Sequence, residues 1–329
     1  MTRTAAHTLA KAEEIADAVL LPAAGDVDRS DRLPRSHLDL LAAEGFYALA
    51  APPSAGGVDR ATLGRVVELL ASGCLATAFV WLQHHHPVGA VAASQEPGVA
   101  QRWLDPLARG ETRAGIALAG LRPGAGGVTV RREGDAYVLN GNVPWVTGWD
   151  QVDVVQVGAV DHTGLIHFLL MDAVASATLH ASIQQLGAVQ ASRTAMVQFA
   201  QHRVPAERLV GTAPRDQWLA DEASGSMLNG FLALGVARRC LRLAGPSPLD
   251  AELTRCRAAL LAADAGTTPA ARAAASELAY RSAARVVVHL GSQSALADGP
   301  AQRLVREAAF LLVFGSRPAI KDRLLEVFG

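Results

Sequence analysis

The 329-residue sequence predicts an α+β multidomain protein, ordered as helices, a β-domain, then helices again. Three observations carry this. Apolar residues recur at helical spacing as far as residue 110 or so. Short strand-like runs separated by tight turns then fill about 113–210. Helical spacing returns from about 214 to the end. The expected division is an N-terminal helical domain over 1–112, a β-domain over 113–212 and a C-terminal helical bundle over 213–329.

In the first region the candidate helices are 4–21, 34–50, 60–71, 74–93 and 97–109. Pro22, Pro34, Pro52-Pro53, Gly56-Gly57 and Pro87 punctuate them. Ala76–Leu82 is nearly all apolar, which predicts a helix buried on most sides. In the second region, Val128–Arg131 and Tyr137–Leu139 flank Glu133-Gly134-Asp135, a good hairpin turn because glycine accepts positive φ. Val152–Val160 and Leu165–Met171 flank a second turn at Asp161-His162-Thr163-Gly164. Ala114–Ala119 precedes these runs and Met196–Phe199 closes the set, as expected of a small barrel or sandwich. In the third region the candidates are 215–243, 249–264, 268–291, 299–313 and a last helix opened by Pro318, a residue suited to a first helical turn.

Composition narrows the functional classes. Half of the residues are hydrophobic, 19% are charged and the net charge is −1. No basic excess points to a nucleic-acid partner. No apolar run is long enough and free enough of charge to span a bilayer. The N-terminal stretch carries Arg3, Lys11, Glu13, Glu14 and Asp17 among its apolar residues, which is an amphipathic helix and not a signal peptide. Cys74, Cys240 and Cys256 are scattered and lack metal spacing, so a reducing cytoplasm is expected and no metal site. His84-His85-His86 invites a metal reading. Consecutive helical residues point in different directions, so three in a row do not readily chelate one ion.

Several local strings, in this order, resemble the acyl-CoA dehydrogenase family over nearly the whole chain. Pro52-Pro53-Ser54-Ala55-Gly56-Gly57 is similar to the family's turn after its second helix. Tyr137 to Thr147 resembles its strand ending in Trp-Ile-Thr. Leu186-Gly187, Ser192, Val197-Gln198-Phe199 and Val204-Pro205 resemble its exit from the β-domain. Arg303 to Ala308, with Ile320, resembles its Arg-Leu-Tyr-Arg-Asp-Ala stretch without a gap. The resemblance implies a middle β-barrel, a C-terminal four-helix bundle, FAD in a cleft between them, and an oligomer. It also implies an acyl-CoA or acyl-carrier-protein thioester as substrate and a place in fatty acid metabolism.

The resemblance also implies site residues. Trp145 would pack beside the flavin ring and Thr147 would reach its N5 and O4 edge; an aromatic wall and a short donor suit that task. Leu121, in Gly120-Leu121-Arg122-Pro123, stands where the family's turn meets the flavin pyrimidine through backbone donors. Arg122 is either a counter-charge to reduced flavin or an exposed loop arginine. Gly291 and Ser292 stand where the family has a Gly-Gly turn beside the adenine and pyrophosphate of FAD.

The family's base is missing. Its dehydrogenation needs a carboxylate within reach of the substrate proton. The ungapped match puts Phe314 at the Tyr and Gly315 at the Glu of the family's Tyr-Glu-Gly-Thr. The alternative base position falls on Gly225, with Ser226 in the place of a CoA-contacting Arg. Glu222, almost one helical turn before Gly225, is either a displaced base or a carboxylate favoured by a helix start. The family's Arg-x-x-Phe-Gly segment is absent after Leu243-Ala244-Gly245-Pro246, and Gly124-Ala125-Gly126-Gly127 replaces its Gly-Ser-Asp. Three readings follow: a flavin oxidoreductase on acyl thioesters whose base is relocated or supplied by a partner subunit, a flavin-dependent monooxygenase of the same fold, or a non-catalytic partner in a homo- or hetero-oligomer.

Overall fold

The computed structural model describes residues 4–124, 126–315 and 317–329, and of 222–225 it describes the backbone alone. The chain opens with α1 (Ala5–Ile15), whose first turn is capped by the Thr4 hydroxyl accepting from the His7 N–H. A wide π-helical turn, Ala16–Leu20, leads into α2 (Leu21–Arg29). The sequence predicts a stop at Pro22, but the helix runs through it. The wide turn shifts the hydrogen-bond register just where proline lacks a donor and its ring crowds the preceding turn.

Next come α3 (Arg35–Ala43), α4 (Arg60–Gly73), α5 (Leu75–Gln83), α6 (His85–Ala92) and α7 (Val99–Ala108). The expected helix 34–50 ends early because Gly45 adopts φ 68°, a left-handed stop. The expected helix 74–93 breaks at His84. Pro87 has no N–H to continue the ladder, and the His84 N–H bonds back to Trp81 O at 3.2 Å. The three histidines have separate duties. His84 is buried, 3.0 Å from Leu107 O through Nε2, and its Nδ1 accepts from the Ala114 N–H at 2.9 Å. His85 is buried between Trp81 O and Phe46 O. His86 is exposed, with Nδ1 3.0 Å from Gln156 Oε1.

The β-domain comprises β1 (Ala114–Ala117), β2 (Gly127–Glu133), β3 (Ala136–Val146), β4 (Val154–Val160), β5 (Leu165–Asp172), β6 (Leu179–Ile183), β7 (Ala195–Pro205) and β8 (Leu209–Pro214). They form one mixed sheet in the order β6-β7-β3-β2-β4-β5-β8, with β1 parallel on β4. Both expected hairpins are present, β2–β3 and β4–β5. The strands share a core of Val128, Leu139, Val155, Leu169, Val197 and their neighbours. β6 and β8 escape the sequence reading. They lie at the two ends of the pairing path, where a strand needs little apolar signal of its own.

Six helices complete the chain: α8 (Arg215–Gly225), α9 (Met227–Ala244), α10 (Leu249–Ala262), α11 (Thr268–Leu290), α12 (Pro300–Val313) and α13 (Pro318–Phe328). The expected helix 215–243 is interrupted between Gly225 and Met227. The N-terminal and C-terminal helices share one core, in which Leu63, Val67 and Leu70 join Phe231, Leu234 and Leu278. α4 and α9 approach closely. A Cβ at Gly64 would lie 2.8 Å from the Phe231 ring, and one at Gly235 would lie 2.5 Å from Glu68 O. Among the described residues no helix is long and apolar enough to cross a membrane.

Glu68 on α4 is fully buried and sits against Arg65 at 2.5 Å and Arg257 of α10 at 2.8 Å. Burial works to raise its pKa, but the two guanidinium groups win and hold it below the usual range. Glu68→Gln would strand two cations, and the expected cost is about 3–5 kcal/mol in chemical denaturation. Unchanged stability would mean that the pair is not formed.

Burial pushes His85 down to about 4, from 6.5. A depressed histidine contributes stability that is present above its unfolded pKa and is lost as pH falls. Melting temperature is therefore expected to drop between pH 6.5 and about 4. The proton-linked loss is up to about 3 kcal/mol from this group. His85→Gln should flatten that part of the profile, and an equal slope in both proteins would refute the assignment.

Candidate cofactor site

β3 ends at a corner built from two segments. Residues 145–150 meet 189–193 through the Gly148 N–H on Ser192 O (2.9 Å) and the Trp149 N–H on Arg193 O (3.2 Å). Arg193 also binds the Asp150 carboxylate at 2.6 Å. Trp145, Asp150, Val189 and Arg193 all have positive φ, between 47° and 64°. Each such residue costs roughly 1–3 kcal/mol and persists only where its surroundings enforce it; such strain concentrates at functional sites. The pairing of β3 with β7 shifts register between Val143 and Val146. This bulge turns the Trp145 indole outward, leaving it 57% exposed.

Thr147 sits behind Trp145 and is buried. Its hydroxyl lies 3.4 Å from that of Thr194, which lies 2.9 Å from that of buried Ser192. A hydroxyl chain therefore runs from the second strand segment to Thr147. Sequence reasoning found Thr147 and quoted Ser192 only within a family string. It missed Thr194 and Val189, because the register that brings them together is a tertiary property.

Leu121 is placed differently from the other candidates. It is fully buried against Leu118 and Ile166. Its N–H donates to Leu118 O at 3.1 Å, and its carbonyl accepts from Arg215 Nε and Nη2 at 3.0 and 2.8 Å. The Arg122 N–H donates to Ala119 O at 3.2 Å. Both donors expected to meet a flavin edge are thus engaged within their own turn.

Gly291 ends α11 with φ 56° and ψ −134°, and the Ser294 hydroxyl donates to its carbonyl at 2.7 Å. A Cβ there would touch nothing within 4 Å, so the backbone angle and not local crowding favours glycine. Gly291 and Ser292 are exposed. No described hydrogen bond joins Trp145 or Thr147 to Leu121, Gly291 or Ser292.

The position where the resemblance expects a base is the turn after α12. Phe314 packs edge-on against Phe79 (4.7 Å) and stacks near Phe310 (5.5 Å), which fixes the end of the helix. Gly315 follows with φ 58°. A Cβ at Gly315 would lie 2.9 Å from Nδ2 of Asn229, so the Asn229 carboxamide stands beside the emptied place. The backbone of Glu222 and Gly225 belongs to α8, but the Glu222 side chain lies outside the described residues. So does Ala125 in the Gly124–Gly127 turn.

Two clefts of about 230 and 180 Å³ lie elsewhere, one lined by Asp172, His202 and Arg208, the other by Asp28, Asp298 and Arg303. Against a flavin, the residues fit at one edge only. Trp145 offers a free aromatic face and Thr147 a short hydroxyl, whereas the Leu121 and Arg122 N–H groups are engaged within their own turn.

Residues 2–111 match the family model described as acyl-CoA dehydrogenase, N-terminal domain. The chain is 26% identical to the short-chain specific mitochondrial acyl-CoA dehydrogenase of Rattus norvegicus over 349 aligned positions, covering 92% of this chain and 84% of that protein. Its fold is similar to that of a glutaryl-coenzyme A dehydrogenase in complex with glutaryl-CoA, at TM-score 0.86, 17% identity and 100% and 96% coverage. It is equally similar to butyryl-CoA dehydrogenase of Megasphaera elsdenii, at TM-score 0.85, 18% identity and 99% and 97% coverage. The matched N-terminal helices, the near full-length alignment and the shared three-part fold make this chain similar to the acyl-CoA dehydrogenases along most of its length.

Proposed function

We propose that this chain is a base-less subunit of a flavin-dependent oxidoreductase acting on acyl thioesters, in which a second, base-bearing subunit of the same family takes the substrate proton. The observation that carries this reading is Gly315. It stands where the ungapped match places the catalytic Glu, it has no side chain, and it is held in a left-handed turn. Glycine adopts that left-handed φ without strain, and the Asn229 amide stands beside it. The partial fit for FAD supports the same reading. When bound, FAD supplies a hydride acceptor. This chain contributes the Trp145 face and the Thr147 hydroxyl at one edge. Donors for the other edge, and the proton acceptor, come from the second subunit.

Purified alone, the chain is expected to be colourless or weakly yellow and to leave saturated acyl-CoAs unoxidised under anaerobic conditions. Co-expressed with a Glu-bearing homologue, it should give a yellow complex that acyl-CoA bleaches. Efficient acyl-CoA oxidation by the chain alone would overturn the reading.

Two substitutions sharpen the test. Trp145→Ala should reduce the flavin bound per complex several-fold while leaving the melting temperature of the free chain within a few degrees, since the ring is exposed. Glu222→Gln should leave turnover of the complex unchanged. A loss of turnover of roughly 100-fold or more, the size expected for removal of a general base, would make Glu222 the base and this chain catalytic.

A further inference from the structure

Arg272 on α11 is fully buried, and no carboxylate among the described residues pairs with it. Its Nη2 donates to Phe314 O at 3.0 Å and its Nη1 to the Ser276 hydroxyl at 3.4 Å. Its Nε–H has no partner. Two other arginines of the helical core, buried Arg303 and half-buried Arg257, are treated differently. Arg303 is met by Glu307 at 2.9 Å, and Arg257 is met by Glu68. A buried cation without a counter-charge costs several kcal/mol, and such groups are normally paired. Arg317 lies close enough to repel Arg272, and together with burial it pushes the Arg272 guanidinium down to about 10.

The unpaired cation stands at the emptied base position. Its carbonyl partner Phe314 immediately precedes Gly315. The Arg272 Cδ, which carries the unpartnered Nε, lies 3.3 Å from where a Cβ at Gly230 would be. The neighbouring residue, Asn229, turns its amide toward Gly315, with Nδ2 2.9 Å from where a Cβ would be. The unpartnered Arg272 Nε and the Asn229 amide therefore both lie where α9 and α11 meet the turn at Phe314–Gly315.

We propose that the corner formed by Asn229, Arg272 and Gly315 accepts a carboxylate group from outside the chain. The carboxylate comes either from the far end of an acyl thioester or from an acidic side chain of the second subunit. It receives hydrogen bonds from Arg272 Nε and Asn229 Nδ2, and it neutralises the buried charge. No proton or electron is transferred in this step. The inference deepens the proposed function by saying what the emptied base position takes in, and only its second-subunit arm rests on that reading.

The test uses the full chain, first without flavin or partner. Succinate and succinyl-CoA are the small-molecule probes, with sodium chloride at equal ionic strength as control. Saturating probe should raise the melting temperature by roughly 3 °C or more. Arg272→Met should melt at or above the wild-type temperature without probe, because it removes an uncompensated charge, and it should lose the probe-induced shift. Asn229→Ala should keep the basal melting temperature and lose at least half of the shift. In the second arm, association with a Glu-bearing subunit should weaken at least 10-fold in Arg272→Met.

A response in either arm that Arg272→Met abolishes supports the proposal, and the responding arm identifies the source. Shifts of equal size in wild type and Arg272→Met, or no response in either arm, overturn it. So does a large basal loss in Arg272→Met, which would make Arg272 a cap for the end of α12 and nothing more. The first arm reads neither flavin nor turnover. Its failure leaves the base-less subunit standing, and failure of the base-less reading leaves the melting data intact.

Discussion

The close approach of α4 and α9 is the constraint on which the rest of the structure depends. Gly64 and Gly235 remove side chains from the contact, so that the Phe231 ring and the α4 backbone meet directly. This merges helices from both ends of the chain into one hydrophobic core. Buried Glu68 locks the arrangement by joining α4 to α10 through the half-buried guanidinium of Arg257. The β-domain is then held at fixed geometry by links such as His84 between the end of α7 and the start of β1, and Arg306 from α12 to Asp28 and to Gly187 O. Strain at the corner of residues 145–150 and 189–193 persists because this framework leaves the backbone little freedom to relax.

That corner and the turn after α12 have opposite characters. The first keeps the features of a cofactor edge: an exposed indole, a hydroxyl chain and a cluster of left-handed residues. The second has a glycine, Gly315, with buried Arg272 nearby, and no carboxylate among the described residues pairs with that arginine. The engaged Leu121–Arg122 turn fits the same division, because a flavin cannot be fully cradled where the donors already serve their own turn.

Much of the fold was legible in the residues. Gly134 between polar neighbours marked the β2–β3 turn, and Pro318 marked the start of α13. Trp145 and Thr147 were legible through the string that leads to them. Three things were not. Pro22 misled, because a wide turn before it absorbs the missing donor, and no local pattern announces such a turn. β6 and β8 were missed, because strands at the ends of a pairing path need little apolar alternation. Arg272 was unremarkable as one arginine among many, since nothing in the local sequence says that its neighbours on α9 and α12 bring no carboxylate.

The sequence by itself determined the order of helices, strands and helices, the hairpins, and the absence of a carboxylate at Gly315. These are local matters of periodicity, turn chemistry and residue identity, and each is decided within a few residues. Only the tertiary structure decided that two distant helical regions share one core, that the Leu121 N–H and carbonyl are both engaged, and that Arg272 is buried with no carboxylate partner among the described residues. The reason is physical. Burial and hydrogen-bond satisfaction depend on which segments meet in space, and residues as far apart as Asn229, Arg272 and Gly315 acquire a joint electrostatic character only once the bundle has packed.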